Sequence, residues 1–352
     1  MTDSPRSLFD RMTWRDPISG APLEPVIFAR TPAGVPICGA LRVAGTHTGY
    51  PIVDSIARLT PELAVVHRAW LELAELLPVE NPETREGRQT QATVDSFGFQ
   101  WSWNAHPRTE RDLRHRVAEK FGAQPRDFAG HTVLDAGAGA GDQSRYLLEQ
   151  GASVLSVDLS RAIDVVGQKL RMNQNWFGVQ GDIAHLPVAD QQFDIVYCEG
   201  VIQHTADSFA TVAELKRVLK VGGRINATHY IHLPPRTSMQ RVRRTFSLKL
   251  YAFFRRRFAS MDTYKLLSLT GVIAALNYVP LIGAVLRRLS LSLVNPLMPD
   301  FRSTWTNTYD FWGSHAHQRF VTPDEFWGYF DRAGGMQPLR TDSGVIVAKR
   351  IA

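Results

Sequence analysis

Between residues 129 and 230, short apolar runs alternate with stretches whose apolar positions recur at helical spacing. The runs at 132–135, 153–158, 176–179, 195–198 and 224–230 predict strands, and 143–150, 162–174 and 209–219 predict helices between them. Strand–helix alternation of this kind puts the strands parallel in one sheet, with helices on both faces. The pattern stops over 231–318 and then resumes. Residues 323–333 predict a helix, and 336–339 and 344–349 predict two strands joined by a turn at Asp342 and Ser343, placed to close the sheet as an antiparallel pair.

The flanking regions differ in texture. Residues 1–62 are rich in Pro and Gly with short apolar runs, which predicts a small irregular β unit. Residues 63–128 read as largely helical: Leu63, Val66, Trp70, Leu73 and Leu77 recur at helical spacing, and a second helix is expected over 110–121. Between these helices lies a polar and then aromatic stretch containing Phe97, Phe99, Trp101 and Trp103. Within 231–318, Val242, Phe246, Leu250, Phe254 and Phe258 repeat every fourth residue among arginines, predicting a basic amphipathic helix. Residues 266–286 then form 21 positions without a charge. That length can span a bilayer, but Asn277 and Pro280 read as a break, so two short helices in a hairpin fit better.

Charge sharpens this division. The chain carries +6 overall, yet residues 236–288 hold eleven Lys/Arg against one acid, Asp262, or +10, which leaves −4 for the remainder. The basicity is local, and it does not make the chain as a whole a nucleic-acid binder. The two cysteines, Cys38 and Cys198, are far apart and form no CxxC pair, so neither a disulfide framework nor a cysteine-rich zinc site is expected. The N-terminus lacks an apolar core of the signal-peptide type, and a reducing, cytoplasmic setting is expected.

The stretch most telling for chemistry is Val133-Leu134-Asp135-Ala136-Gly137-Ala138-Gly139-Ala140-Gly141-Asp142. An apolar strand enters a glycine-rich turn that opens a helix, at the strand end where open α/β sheets bind ligands. The glycines alternate rather than following GxGxxG, and an acid precedes them. A carboxylate there would repel a phosphate and suits a cationic ligand. S-adenosylmethionine has an ammonium and a sulfonium and no phosphate, so the acid favours it over a dinucleotide.

Four more stretches follow in order: Val157-Asp158-Leu159-Ser160, Gln180-Gly181-Asp182-Ile183, Phe193 to His204 with Glu199-Gly200, and Leu219-Lys220-Val221-Gly222-Gly223-Arg224. Together with the glycine turn they resemble the class I methyltransferase family, well over 131–230 and loosely over 320–350. The resemblance implies an α/β, Rossmann-like, seven-stranded, mostly parallel sheet with helices on both faces and an antiparallel final strand. A small N-terminal β-rich unit and a helical insert accompany it. It implies S-adenosylmethionine as cofactor. Asp135, Gly137, Ala138, Gly139 and Gly141 would lie at its amino-acid end, with Glu199 and Gly200 beside them. Asp158 and Leu159 would meet the ribose, and Asp182 and Ile183 the adenine. Residues 16–23 and 49–59 are similar to a zinc-ribbon unit that accompanies some methyltransferases, but the cysteine pairs are missing and Asp54-Ser55 replaces an Asp-Gly step. A ribbon-like fold without metal, held by packing, is expected.

Methyl transfer from a sulfonium is a direct displacement that needs alignment and exclusion of water, with a general base where the acceptor is a hydroxyl. His204, just past the fourth strand, is the candidate base. Trp101, Trp103, His204 and His229 are candidate acceptor contacts. His315 and His317 flank Ala316 without carboxylate partners, so no metal site is expected.

The domain reading is 1–62, a zinc-ribbon-like unit lacking zinc ligands; 63–128, a helical segment covering the cofactor site; 129–230 with 319–352, the methyltransferase domain; and 231–318, a basic and apolar helical substrate cap. A small-molecule or lipid-linked acceptor is expected, with peripheral contact at the inner membrane surface through 240–290. Nucleic acid is disfavoured because RNA would have no use for the long apolar run. An RNA methyltransferase using the arginines and a non-catalytic cofactor-binding regulator remain the two other readings.

Overall fold

The computed structural model describes residues 6–80, 109–232, 234, 237–258, 261–288, 300–313, 317–342 and 344–352. A short helix, α1 (Leu8–Arg11), precedes an antiparallel meander of β1 (Leu23–Arg30), β2 (Pro36–Val43), β3 (Thr48–Val53) and β4 (Ile56–Arg58). Helices α2 (Pro61–Val66) and α3 (Arg68–Glu72) lead to β5 (Leu77–Pro78), which pairs with β3. Helix α4 (Glu110–Leu113) runs on through a π turn, Arg114–Ala118, and a 3-10 turn, Glu119–Phe121. The alternating region follows as β6 (Thr132–Ala136), α5 (Asp142–Glu149), β7 (Ser153–Asp158), α6 (Ala162–Leu170), β8 (Trp176–Gln180), β9 (Phe193–Cys198), α7 (Ser208–Val218) and β10 (Leu219–Thr228). Four helices come next: α8 (Ser238–Phe258), α9 (Thr263–Leu276), α10 (Pro280–Arg288) and α11 (Phe301–Trp312). Helix α12 (Pro323–Ala333), β11 (Met336–Asp342) and β12 (Val345–Arg350) end the chain.

Two compact units result. One comprises Met1–Thr84, Ala105–His232 and His317–Ala352, and the other Arg85–Asn104 and Leu233–Ala316. In the first, β6 to β10 are parallel and β12 pairs antiparallel with both β10 and β11. The run β8-β7-β6-β9-β10-β12-β11 is the expected seven-stranded sheet with its antiparallel closure. The small N-terminal β-rich unit is continuous with it: β4 pairs parallel with β8, and the whole is one 12-stranded sheet. A short strand edge beside a parallel sheet offers unpaired backbone groups, and β4 satisfies them.

Both sheet faces are covered, as parallel strands require. Leu134, Leu155, Phe177, Val196 and Ile225 pack on one face, Val133, Val154, Trp176, Ile195 and Val347 on the other, all buried. Helix starts are locally encoded. Asp207 accepts from Phe209 N and Ala210 N at the head of α7, and Thr322 and Glu325 form a reciprocal capping box with Pro323 in the first turn of α12.

The N-terminal meander is tied by one carboxylate. Asp16 accepts from the Ser19 hydroxyl at 2.5 Å, the Tyr50 hydroxyl at 2.8 Å and the backbone N–H groups of Ile18 and Ser19. Among the described residues, no three His, Cys, Asp or Glu side chains group as they would around a metal ion.

The expected helix through 63–77 is a correction. Helix α3 stops at Glu72, and Glu75 adopts a left-handed backbone with φ 56°. Ala64, Leu71 and Leu76 are buried, whereas Val66, Leu73 and Leu77 are exposed. Packing of this short pair of helices against β2 and β3 selects a different face from the one the spacing picks out.

In the second unit, Leu266, Tyr309, Phe311 and Trp312 form a core joined by Tyr251, Phe254 and Phe258 from α8. Gly271 lets α9 approach α11, since a Cβ there would lie 3.0 Å from the Trp305 ring. The uncharged stretch is two helices, as the Asn277 break predicts, bent by 119°.

Candidate active site

The glycine turn sits at the carboxyl ends of adjacent strands β6 and β7. Gly137 N and Ala138 N donate to Val157 O at 2.7 and 3.1 Å, so the loop folds back over β7. Gly137 has φ +87°, and a Cβ there would lie 2.2 Å from Val201 Cγ2. Gly141, with φ +80°, is the N-cap of α5, and a Cβ would meet Val166 at 2.7 Å. Glycine is needed at both for conformation and for space.

Asp158 ends β7 and clamps this loop. Its Oδ2 accepts from Gly139 N at 2.8 Å, and its Oδ1 accepts from Ser160 N at 2.8 Å and from the Ser160 hydroxyl at 2.7 Å. Three of a carboxylate's roughly four acceptor positions are thus filled by the chain. Burial still pushes its carboxyl above the usual range. The Gly139 N–H that a phosphate would use is already held by a carboxylate. Leu159 O accepts from Gln180 Nε2 at 3.2 Å, and Gln180 Oε1 accepts from the buried Arg58, whose other arm reaches Asp164 at 2.6 Å. The meander is thereby bonded to the sheet directly behind Asp158. Asp182, just past β8, accepts from Ala184 N at 2.9 Å, and the next residue, Ile183, is buried.

A polar row crosses the sheet beneath the loop. Ser156 on β7 pairs with Asp135 on β6, Asp135 with Tyr197 on β9, and Tyr197 with Asn226 on β10, so all four share a face. Trp176 Nε1 donates to Ser156 Oγ at 2.8 Å, Ser156 Oγ lies 2.7 Å from Ser144 Oγ, and Ser144 donates to Asp135 Oδ2 at 2.5 Å. With the Ser144 proton on Asp135, the Ser156 hydroxyl must donate to Ser144, and the chain runs in one direction. Burial pushes the Asp135 carboxyl up to about 7, the Ser144 hydrogen bond opposes this, and Asp158 and Glu199 add to it. Asn226 has no partner for either side-chain polar atom among the described residues.

Glu199, past the end of β9, is held by groups that the motif reading did not single out. Lys120 donates to Oε1, Arg116 lies 3.6 Å from the same oxygen, and the Tyr197 hydroxyl donates to Oε2 at 2.6 Å. Burial works against this charge, yet Lys120, Arg116 and the Tyr197 hydroxyl hold the carboxyl below its usual range. The π turn after α4 supplies Arg116, and the 3-10 turn supplies Lys120. Such breaks in α-helical geometry re-aim side chains, and no sequence spacing announces them.

The next residues reach β10 and the segment before α12. Gly200 N donates to Thr228 Oγ1 at 2.7 Å. Gln203 is fully buried with both amide atoms unpartnered among the described residues, and its Nε2 lies 3.9 Å from where a Gly200 Cβ would stand. His204 Nδ1 lies 3.1 Å from His317 O, and its ring meets Tyr230 edge-on at 5.6 Å. His229 Nδ1 lies 3.1 Å from Tyr230 O. A carbonyl only accepts, so both rings carry their proton on Nδ1 when neutral. His229 Nε2 is buried and unpartnered among the described residues, and burial lowers this imidazole's affinity for a proton. Trp101 and Trp103, and His315, lie outside the described residues.

The fold and this edge define an open α/β domain that binds its ligand where strand order reverses, between β6 and β9. Asp135, Asp158 and Glu199 gather there while the Gly139 N–H is held by a carboxylate, so the loop suits an uncharged or cationic group better than a phosphate.

Residues 134–227 match the family model described as Methyltransferase domain. The demethylmenaquinone methyltransferase of Thermobifida fusca is 39% identical over 110 residues, covering 30% of this chain and 47% of that protein. The malonyl-[acyl-carrier protein] O-methyltransferase of Pseudescherichia vulneris is 32% identical over 139 residues, covering 39% and 53%. The chain therefore spans about half the length of these relatives. A solved structure, the 1,6-didemethyltoxoflavin-N1-methyltransferase of Burkholderia thailandensis, is 15% identical, covering 78% of this chain and 95% of that one with a TM-score of 0.42. Residues 134–227 thus carry a methyltransferase domain on an open, mostly parallel α/β sheet of Rossmann-like order.

Proposed function

We propose that the chain transfers a methyl group from S-adenosylmethionine to a small-molecule or lipid-linked acceptor. The observation that carries this reading is the gathering of Asp135, Asp158 and Glu199 around a glycine turn whose Gly139 N–H is already given to a carboxylate. When bound, S-adenosylmethionine supplies an electrophilic methyl on a positively charged sulfur. The backbone of Gly137, Ala138 and Gly139 would face its amino-acid end. The remaining acceptor position of Asp158 suits a ribose hydroxyl, and Asp182 and Ile183 suit an adenine edge and face.

At the acceptor side, the Gln203 amide offers two donors and one acceptor that the described chain leaves unused. A buried unpaired amide costs about 1–3 kcal/mol, which a polar acceptor would recover. His229 stays neutral because of its burial, and its unpartnered Nε2 lone pair suits a hydrogen bond from an acceptor hydroxyl. The relatives are named for demethylmenaquinone and for a malonyl-acyl-carrier protein, which supports an acceptor other than nucleic acid.

Titration calorimetry tests the cofactor. S-adenosylmethionine and its demethylated product should bind, and Asp158→Ala should weaken both at least tenfold. Absence of binding, or indifference to that replacement, overturns the reading. Release of labelled methyl onto an extractable acceptor tests turnover, and a cofactor binder with no turnover on any acceptor would be a regulator instead.

A further inference from the structure

The helical unit carries an exposed apolar face on α10. The two sides of α10 differ. Gly283 lies against the break, where a Cβ would approach Asn277 O to 1.9 Å, and Arg287 donates to Asn277 O at 3.1 Å and to its Oδ1 at 2.9 Å. Gly283 and Arg287 are four apart, so they define the inward side, and the polar groups of the break are satisfied within the hairpin. Leu281 and Val285, also four apart, define the other side. They are 83% and 55% exposed, with Ile282 at 44% beside them. Across the bend, Val272 is 57% exposed on α9. No charged residue occurs from Leu266 to Leu286, and Lys265 and Arg287 bound the stretch.

Length limits how such a face is covered. Among the described residues, no single helix is long and apolar enough to cross a membrane, and Thr263–Leu276 with Pro280–Arg287 reaches that length only as a bent pair. A helix of nine residues, as α10 is, extends only about 13 Å, less than half of an apolar layer about 30 Å thick. A self-satisfied apolar bend flanked by cations has the design of an element that lies in the interfacial region, with its cations at the headgroups. The charge agrees: residues 236–288 carry eleven cations and one acid, and exposed Arg241 and Lys249 on α8 belong to that set.

We propose that the helical unit docks on an anionic lipid surface, with the α9–α10 bend and the outward face of α10 entering one leaflet. The bend supplies apolar burial, and the basic residues supply attraction to anionic headgroups, worth about 1 kcal/mol for each Lys or Arg close to the surface. This docking is independent of the cofactor, so its failure leaves the methyltransferase reading intact.

Flotation of the full chain with vesicles tests it, comparing phosphatidylcholine alone with phosphatidylcholine plus phosphatidylglycerol. The protein should float with the anionic vesicles and much less with the neutral ones. Leu281→Asp with Val285→Asp should reduce retention more than about tenfold. Ile282→Trp should strengthen it, a gain that misfolding does not produce. Thermal melting and cofactor titration of each variant should match the parent protein. Failure to float on anionic vesicles overturns the proposal, as does retention unaffected by the aspartates. A monomer–dimer equilibrium abolished by the aspartates, with no vesicle retention, assigns the face to a second copy. Salt-sensitive RNA retention without vesicle binding assigns the cations to nucleic acid. Either result overturns lipid docking.

Discussion

Asp135→Asn exchanges a buried ionisable group for a neutral one of the same shape, and the structure sets both sign and size. Asp135 is 2% exposed, and its carboxyl stands at about 7 instead of 3.8. Burial is the chief cause, the Ser144 hydrogen bond opposes it, and Asp158 and Glu199 reinforce it. The folded value lies above the unfolded one, so the folded state holds the proton more tightly. Below 3.8 both states are protonated and the carboxyl costs nothing; its contribution is lost progressively as pH rises through about 7. At about 1.4 kcal/mol per pH unit, the climb between those values corresponds to about 4 kcal/mol. That is a large fraction of a domain stability of about 5–15 kcal/mol. The asparagine keeps an oxygen for the Ser144 hydroxyl, so the hydrogen-bond row survives. Urea unfolding of both proteins from pH 3 to 8 reads the difference directly. The curves should coincide at the acid end and separate until the variant is more stable by about 4 kcal/mol at the alkaline end, while its affinity for S-adenosylmethionine falls. A stability difference that does not change with pH, or a variant less stable at pH 8, refutes the reasoning.

Three further outcomes follow from the site. Gly137→Ala should cost about 2–4 kcal/mol in urea unfolding, from left-handed strain and overlap with Val201, and Val201→Ala in the same chain should return about half of it. Glu199→Gln should cost about 3 kcal/mol near neutral pH by leaving Lys120 and Arg116 without their buried counter-charge. Since the Glu199 carboxyl is depressed from 4.5, its stabilisation is present above that value and lost as pH falls through the depressed one, so melting temperatures of variant and parent should converge in acid. Gln203→Met should raise stability by about 1–2 kcal/mol by removing an unpartnered amide, and lower turnover while leaving cofactor calorimetry unchanged.

Much of the architecture was legible because local signals agree with one another. Apolar runs bounded by turns mark β6 to β9 to within a residue or two, and the acid-led glycine turn marks the ligand edge. Those elements depend on contacts short in sequence: caps at Asp207 and Thr322, and glycines at bends where a Cβ has no room. The stripe through Leu63, Val66 and Leu73 misled because such short helices take their buried face from the strands they meet. The parallel pairing of β4 with β8 was hidden for a related reason: residues 56–58 and 178–180 carry no sign of each other.

The sequence by itself therefore determined the order of strands and helices from 129 to 230, the identity of the acids at the strand ends and the uncharged, cation-bounded segment. Tertiary structure decided how those acids are used. Asp158 is spent on clamping the loop, Asp135 is buried enough to hold a proton to about 7, and Glu199 is held charged by Lys120 and Arg116. Composition lists which groups can ionise, but desolvation and the distance to a counter-charge decide whether they do, and both quantities exist only once remote parts of the chain have come together.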